Sequence, residues 1–510
     1  MNKYIKVLVF LIVFMVMIFP TINVNADVKK GLASEVVINN LNSGDTYDDG
    51  VDTFITGEDP NNYIWYSGKL WRAVSVNNSA KTTKLVTQWT ISAISYSSGS
   101  IDFAGSYMES WLNDTTVDGF LGNLREPEKF IVMDAKWDTT EDNTKLGSIK
   151  RPNGISTVTA SVGLLNMYEY QMSNNGGSNG YLNNGLWWWT LTPYSSSQIR
   201  MVALNGIADH TLCRGIVGVR PSINLQSSIK IVSGSGTEKD PYRLAGDNDS
   251  NLRGTLLNTR YSGEYIRFGN DENSLYQIVS HENGTGTKIV SAEPLKSSGT
   301  FISMNFGNSH DDVFSPTNTI IGKFLSGKYL TNYVDSAYSN MIEDSTIWYL
   351  GNVGNQDSTS SYKLAKYTDT TGTTLTSDTV QTKVGLLRYG ELMSGQFDRY
   401  ENNQIYWTLT PYGVYGVLTV FDSGDVYIYE TNYPNGIRPS VNLKSNIVIT
   451  EGSGTKEDPF ILADRLENIP SNPDLGNDIN NPETDDNIII YACLAVISLF
   501  SLVTVTKKAM

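Results

Sequence analysis

The sequence predicts an α+β protein made of two similar mixed domains in tandem, preceded by a secretion signal and followed by a membrane-spanning sorting segment. Three observations support this prediction. A block of sequence recurs 218 residues further along the chain. Within each copy, apolar residues follow a strand period in some segments and a helix period in others. An apolar run also lies near each end of the chain.

The N-terminus has the layout of a secretory signal peptide. Lys3 and Lys6 precede an apolar stretch over 7–19, and a Val-x-Ala cleavage site ends at Ala26. We therefore assign 1–26 as the signal peptide. The alternative is a membrane anchor that stays uncleaved.

The C-terminus has the layout of a wall-sorting signal. The apolar run over 488–505 is just long enough to span a bilayer, and the basic tail at 506–510 favours a cytoplasmic end. A polar spacer at 465–487 would hold the preceding domains away from the membrane. The domains are therefore expected on the extracellular face.

The last part of this spacer resembles the LPxTG-like signals that sortase transpeptidases cleave after threonine. It reads Asn481, Pro482, Glu483, Thr484 and Asp485, so Asn replaces the usual Leu and Asp replaces the usual Gly. The resemblance implies sortase and peptidoglycan as partners. A plain single-pass anchor, attached to lipid alone, is the alternative.

Composition excludes several classes of function. The formal net charge of −15 argues against nucleic acid or an anionic membrane surface as a partner. Of the two cysteines, Cys493 lies in the apolar run, so Cys213 has no partner for a disulfide. The chain has no zinc-type spacing of Cys and His, and the calcium-like start at Asp247 lacks the Gly and Glu of an EF-hand loop. We therefore predict no metal and no cofactor, and secretion without disulfides suggests a Gram-positive-type bacterium.

The recurring blocks define the two predicted domains. They pair 189–194 with 407–412, 218–225 with 436–443, and 234–237 with 452–455. A period of this length indicates a duplicated domain rather than a solenoid. We call residues 30–246 repeat one and residues 252–464 repeat two.

The predicted elements of repeat one begin with strands and continue with helices. A hairpin with a Ser-Gly turn at 67–68 is expected over 63–77, and a third strand over 84–90. Helical patterns follow over 107–124 and 162–172. Short strands follow at 186–192, 199–204, 215–220, 222–225 and 229–232. Repeat two has a clear hairpin over 415–429, and this mixture favours a mixed domain over a sandwich.

Together these motifs resemble a bacterial domain family of unknown function found in Firmicute surface proteins, typified by a W-L-R-S-P block and a G-V-R-P-A-L-x-L end. The pattern lies at 71–74, 111–113, 162–169, 189–193 and 218–225 in repeat one. Repeat two departs from it at Phe324, and Leu191 and Leu409 replace the family's Arg. The closing block also resembles the last core strand of C-type-lectin-like and formylglycine-generating-enzyme-like domains, which implies a C-type-lectin-like fold for each repeat.

Aromatic residues near the recurring block are candidates for ligand binding. Trp189 and its counterpart Trp407 are assigned to the core. By strand alternation, Trp188 and its counterpart Tyr406 would point away from them, and an exposed ring there could stack on a sugar.

Two arginines are assigned a structural role. Arg220 and Arg438 each precede a proline at the end of a predicted strand. We expect each to anchor a buried acidic partner or a cluster of carbonyls, with Glu169 and Glu391 as the acidic candidates.

The sequence therefore predicts a non-enzymatic, wall- or membrane-anchored surface protein. Its two repeats would display adhesin-like loops for a glycan or protein ligand on a host or neighbouring cell. No catalytic residue is assigned. Two alternatives remain open, namely a surface enzyme acting on glycans, which needs paired carboxylates, and a structural stalk.

Overall fold

The computed structural model describes residues 30–464, except for 117–118, 146, 174–179, 248–250, 282–285, 351–378, 389–390, 393–403 and 422–425. The described parts of both repeats belong to one compact unit, Met1–Leu466. The predicted signal peptide with Ala26 and the predicted sorting pentapeptide Asn481–Asp485 lie outside the described residues. So do the rest of the spacer, the apolar run and the basic tail. Across the described ranges, no helix has the length and apolar character needed to cross a membrane.

Repeat one consists mainly of short strands, with four short helices among its described residues. Its strands are β1 (Gly31–Leu32), β2 (Thr46–Asp48), β3 (Asp52–Ile55), β4 (Tyr63–Tyr66), β5 (Lys69–Asn77), β6 (Thr83–Thr87), β7 (Ser92–Ser95), β8 (Ala135–Asp138), β9 (Thr157–Ala160), β10 (Trp188–Ser195), β11 (Gln198–Val202), β12 (Ala208–Leu212), β13 (Ile216–Val219), β14 (Ser222–Leu225), β15 (Lys230–Ser233) and β16 (Tyr242–Leu244). Its helices are α1 (Ala33–Asn39), α2 (Tyr107–Leu112), α3 (Pro127–Phe130) and α4 (Met167–Ser173).

Repeat two also consists mainly of short strands, with short helices among its described residues. Its strands are β17 (Tyr265–Arg267), β18 (Leu275–Ser280), β19 (Thr287–Ser291), β20 (Lys296–Ser297), β21 (Thr300–Phe301), β22 (Ser303–Asn305), β23 (Thr346–Tyr349), β24 (Thr379–Thr382), β25 (Val384–Leu386), β26 (Tyr406–Pro411), β27 (Val417–Val420), β28 (Val426–Tyr429), β29 (Pro434–Gly436), β30 (Pro439–Leu443), β31 (Val448–Glu451) and β32 (Ile461–Ala463). The α-helices described are α5 (Ile320–Phe324) and α6 (Leu330–Asn332), which a short π-helical segment, Leu325–Tyr329, connects.

One sheet of repeat one contains the predicted hairpin. The strand order is β1-β15-β16-β4-β5-β3-β2, and β6 joins β5 to β14. Strand β16 runs parallel to β4, with Tyr242 opposite Ile64. In repeat two, Phe460 makes a parallel bridge with Ile266 at the equivalent place.

The hairpin turns at Ser67 and Gly68, as expected from the sequence. Both residues have left-handed backbone angles, with φ of 53° and 72°, which a two-residue hairpin turn of the mirror-image type requires. A Cβ on Gly68 would also meet the carbonyl oxygen of Ser262 at 2.5 Å. Glycine is therefore needed here both for the turn and for the contact with repeat two.

A second sheet in each repeat carries the recurring Trp-Thr-Leu-Thr-Pro block. The order is β12-β11-β10-β13-β7 in repeat one and β22-β29-β26-β27-β28 in repeat two. Trp188 pairs in parallel with Gly218, and Tyr406 pairs in parallel with Gly436. The two halves of the chain thus make the same strand pairing at positions 218 residues apart.

The two helical predictions are longer than the helices observed. The first stops at Leu112, where α2 ends, and residues 121–123 form a separate 3₁₀ turn. The second begins only at Met167, because Gly163 bridges to Ser222 in extended conformation. A Cβ on Gly163 would lie 2.4 Å from the ring of Trp137, so this backbone packs directly on an indole.

The recurring tryptophans lie in the core of each repeat. Trp189 is fully buried and donates its indole N–H to the Ile94 carbonyl at 2.8 Å. Trp407 is buried in the same way and donates to the Met304 carbonyl at 2.9 Å. Burial of these large rings contributes to the hydrophobic core, and their N–H groups stay hydrogen-bonded.

Candidate functional site

The predicted exposure of Trp188 and Tyr406 is wrong. Trp188 has 0% and Tyr406 has 2% of its surface exposed. Strand β10 is an inner strand of its sheet, and both faces of the sheet are covered there. Trp188 and Trp189 therefore point to opposite faces, and both side chains are buried. The ring of Trp188 packs edge-on against Tyr170, and Arg220 lies over its face.

The preceding residue is exposed instead. Trp187 lies just before β10, and 47% of its surface is accessible. Its counterpart in repeat two is Ile405, so this aromatic is not repeated. Trp187 and not Trp188 is therefore the member of the Trp-Trp-Trp run that a ligand can reach.

The sequence allowed Arg220 either an acidic partner, with Glu169 as the candidate, or a cluster of carbonyls. Arg220 donates to the carbonyl oxygens of Thr87 and Leu182, at 2.8 and 2.7 Å. Glu169 instead forms an ion pair with Lys84. Of the two arrangements that the sequence left open, the carbonyl cluster is the one observed at Arg220.

Repeat two shows the same division of partners. Arg438 donates to the carbonyl of Ser291 at 2.6 Å and to the side-chain oxygen of Gln277 at 3.0 Å. Glu391 pairs with Lys288 at 2.7 Å. The lysine partners were missed because each lies far from its glutamate in sequence, although Lys84-Leu-Val and Lys288-Ile-Val occupy matching strands.

A row of aromatic rings lies at the edge of the second sheet of repeat two. We call Phe421, Tyr427, Tyr429 and Tyr433 the tyrosine edge. Phe421 contacts Tyr427 and Tyr429, with ring centroids 4.6 and 5.9 Å apart, and Tyr429 contacts Tyr433 at 6.3 Å. The four rings are therefore continuous.

This row faces solvent. Tyr427 is 53% and Tyr433 is 54% exposed, whereas Tyr429 and Phe421 are half-buried. Strand β28, which carries two of the rings, is the last strand of its sheet. Among the described residues, its outer edge has no paired strand. A continuous exposed aromatic surface of this kind marks an interaction site more often than a scattered single ring does.

Repeat one has no such surface at the matching positions. The register of β11 with β12 is the same as that of β27 with β28, which makes the comparison direct. The residues aligned with the tyrosine edge are Ala203, Asp209, Thr211 and Gly215. In the sequence, this surface corresponds to a cluster of tyrosines over 412–433 that repeat one lacks.

The contact between the repeats contains a buried carboxylate. Asp247 accepts a hydrogen bond from the Ser67 amide at 3.2 Å, and its Oδ1 lies 4.0 Å from the Nε of Arg125. Burial, together with the charge of Glu264, raises the pKa of Asp247 to about 7. This side chain therefore changes charge close to neutral pH.

Metal ligands and thiols were also candidate reactive groups in the sequence. No group of three or more His, Cys, Asp or Glu side chains there is arranged to hold a metal ion. The thiol of Cys213 is free and buried, with 2% of the residue exposed.

Comparison with known proteins gives one family. Residues 81–227 match the family model described as "Domain of unknown function (DUF6273)". The match runs from the turn before β6 to just beyond β14, and it therefore contains the recurring Trp-Thr-Leu-Thr-Pro and Gly-Val-Arg-Pro-Ser blocks of repeat one. No curated protein and no solved structure matches the chain.

Proposed function

We propose that this chain is a cell-surface binding protein that attaches to glycans through the tyrosine edge of repeat two. The observation that carries the proposal is the continuous row of four rings, two of which are more than half exposed. Aromatic faces pack on the C–H faces of pyranose rings. Centroid spacings of 4.6 to 6.3 Å make the four rings one contiguous aromatic surface.

The charge of the protein favours a neutral glycan. The chain carries a net charge of −15, which would repel sulfated or uronic-acid polymers. Tyrosine adds hydroxyl groups that exchange hydrogen bonds with sugar hydroxyls, while its ring has little conformational entropy to lose. We therefore assign the edge to uncharged sugars on a host or neighbouring cell.

Display at the cell surface is the second part of the proposal. The signal-peptide pattern of 1–26 and the apolar run at 488–505 favour a secreted chain held at its C-terminus. We propose that sortase cleaves after Thr484 and joins the chain to peptidoglycan. Attachment to lipid through the uncleaved apolar run would display the same surface.

The third part concerns the domains that carry the edge. We propose that repeats one and two are copies of one mixed, C-type-lectin-like domain, of which the second has acquired the aromatic row. Matching pairings such as Trp188 with Gly218 and Tyr406 with Gly436 support a common origin. The differences at the sheet edge support a division of roles between the copies.

A glycan array tests the proposal. The full chain is applied to neutral and acidic glycans, beside a Tyr427→Ala variant and a Tyr47→Ala control. Tyr47 is also an exposed tyrosine on an edge strand, β2, and lies in repeat one. We expect neutral glycans to bind the wild type and the control but not Tyr427→Ala, and equal binding by all three proteins would refute the proposal.

A further inference from the structure

A lysine lies directly opposite an asparagine in the sheet β17-β18-β19-β30-β25 of repeat two. Strands β19 and β30 are antiparallel neighbours, and Lys288 pairs with Asn442 across them. Directly opposite side chains share one face of a sheet, with Cβ atoms roughly 4.5–5.5 Å apart. The long side chain of Lys288 can therefore bring its nitrogen to the carboxamide carbon of Asn442.

Both of these side chains are shielded from water. Lys288 is 3% and Asn442 is 9% exposed. The Oδ1 atom of Asn442 is buried and has no hydrogen-bond partner among the described residues. A buried polar atom without a partner calls for an explanation in a native structure, and here it belongs to a carboxamide that faces an amine.

Glu391 stands beside the lysine as a proton acceptor. One carboxylate oxygen, Oε1, lies 2.7 Å from the Nζ of Lys288. The other, Oε2, accepts from the Arg388 amide at 2.8 Å, which fixes the orientation of the carboxylate. Trp348 covers the site, with its ring centroid 5.1 Å from the same Nζ. A proton can pass across this short contact and leave an uncharged amine, which is the nucleophilic form of lysine.

Repeat one has the same three residue types in a wetter setting. Lys84 pairs with Asn224 across β6 and β14, and it forms an ion pair with Glu169. The side chains of Lys84 and Glu169 are 16% and 12% exposed, against 4% and 1% for Lys288 and Glu391. Asn224 is half-buried. Repeat two therefore offers the drier of the two sites, in which water competes least for the amine and the carboxamide.

We propose that Lys288 and Asn442 join in an intramolecular amide bond, with Glu391 as the proton carrier. After the ammonium has given a proton to Glu391, the Nζ of Lys288 attacks the Cγ of Asn442, and the Cγ–Nδ2 bond breaks. Nδ2 takes one proton from the amine and the one held by Glu391, and it leaves as ammonium. Glu391 returns to its carboxylate, and no oxidant or other co-reactant is consumed. The ion pair observed is the arrangement that precedes the bond.

The bond would tie β19 directly to β30. The stretch between Lys288 and Asn442 contains β20 to β29 and the tyrosine edge. A pulling force applied beyond Asn442 would pass through the bond to Lys288 and bypass this stretch. The bond would also restrict the unfolded chain in the manner of a disulfide that closes a long loop.

Mass spectrometry of the full chain tests the proposal. We expect the wild type to be lighter by one ammonia than the mass calculated for its processed sequence, and digestion to give a branched peptide that joins Lys288 to Asn442. Lys288→Arg keeps a positive charge beside Glu391 but removes the amine, so it should have its calculated mass, as should Asn442→Ala. Lys84→Arg is the matched control in repeat one and should still lose one ammonia.

Glu391→Gln separates proton transfer from proximity. Glutamine has nearly the same size but cannot carry the proton, so we expect no bond in this variant although Lys288 and Asn442 are both present. A bond that forms equally well in Glu391→Gln would overturn the role of Glu391. A wild type with its calculated mass, or an ammonia loss that maps to another pair of residues, would overturn the whole proposal, and neither result requires a variant to fold.

Discussion

The ammonium group of Lys288 lies 2.7 Å from the carboxylate of Glu391, although the two residues are 103 positions apart in the chain. Both side chains are almost fully buried. The same arrangement occurs in repeat one between Lys84 and Glu169, where the pair is more exposed. In each case the lysine lies over a tryptophan ring, Trp348 or Trp137, at 5.1 and 4.9 Å.

Removing one partner of the deeper pair should be costly. Glu391→Ala leaves the Lys288 ammonium buried without its carboxylate, and we expect a loss of about 3 kcal/mol or more in the free energy of unfolding. Glu169→Ala should cost clearly less, since Lys84 and Glu169 are partly in contact with water. Chemical denaturation of both variants measures the difference, and an equal loss would contradict the account.

The glycines that pack on the two tryptophans should be equally intolerant of a side chain. A Cβ would lie 2.4 Å from the Trp137 ring at Gly163 and 2.5 Å from the Trp348 ring at Gly385. We expect Gly163→Ala and Gly385→Ala each to lower the unfolding free energy by about 1–3 kcal/mol. Gly99→Ala, where a Cβ meets open space, is the control. A tolerated alanine at either packed position would show that these contacts are looser than described.

The order of burial in the Trp187–Trp189 run can be tested by stability. Trp188 is fully buried, so Trp188→Ala should destabilise the protein by about 3–5 kcal/mol. Trp187 is 47% exposed, and Trp187→Ala should change the unfolding free energy by less than about 1 kcal/mol. Thermal unfolding measures the loss of stability in each variant. A larger loss in Trp187→Ala than in Trp188→Ala would contradict the observed burial and favour an exposed Trp188.

Stability should fall as the pH rises towards neutrality because of Asp247. Its native pKa is about 7 against an ordinary value of 3.8, mainly because of burial and secondly because of Glu264. The native state therefore holds this proton more tightly than the unfolded state, and the stabilisation present below pH 4 is lost between pH 4 and 7.

Asp247→Asn should reduce this dependence. An amide oxygen can still accept from the Ser67 amide, but it carries no charge near Arg125 or Glu264. Each unit of pKa difference corresponds to about 1.4 kcal/mol, so the variant should gain stability relative to the wild type at pH 8. Measuring the unfolding free energy of both proteins from pH 4 to 8 tests this difference. If the two free energies change with pH in the same way, the raised pKa of Asp247 is contradicted.

The sequence predicted the local elements better than the long-range contacts. The hairpin at Ser67-Gly68 and the strands around Trp189 and Trp407 follow from turn chemistry and from the recurring block. The burial of Trp188 could not be inferred, because alternation gives the face of a strand but not whether that face is covered. The lysine partners of Glu169 and Glu391 depend on chain segments 85 and 103 residues away.

The tyrosine edge shows a different limit of the sequence. Its aromatic residues have no counterparts in repeat one, so the recurring motifs do not include them. Tyr427 and Tyr429 lie on β28, and Phe421 directly follows β27. The sequence does not show that these rings meet until the hairpin register is known, with Val417 opposite Tyr429 and Thr419 opposite Tyr427. A candidate site can therefore lie where the two repeats differ in sequence.

The affinity of the full chain for the neutral glycan that binds best tests the central claim most directly. The measurement compares the wild type, Tyr433→Ala and the control Tyr47→Ala by equilibrium titration. Loss of one stacking tyrosine should weaken binding by about tenfold or more, whereas the control should keep the wild-type affinity. Unchanged affinity in Tyr433→Ala would show that the tyrosine edge does not hold the ligand.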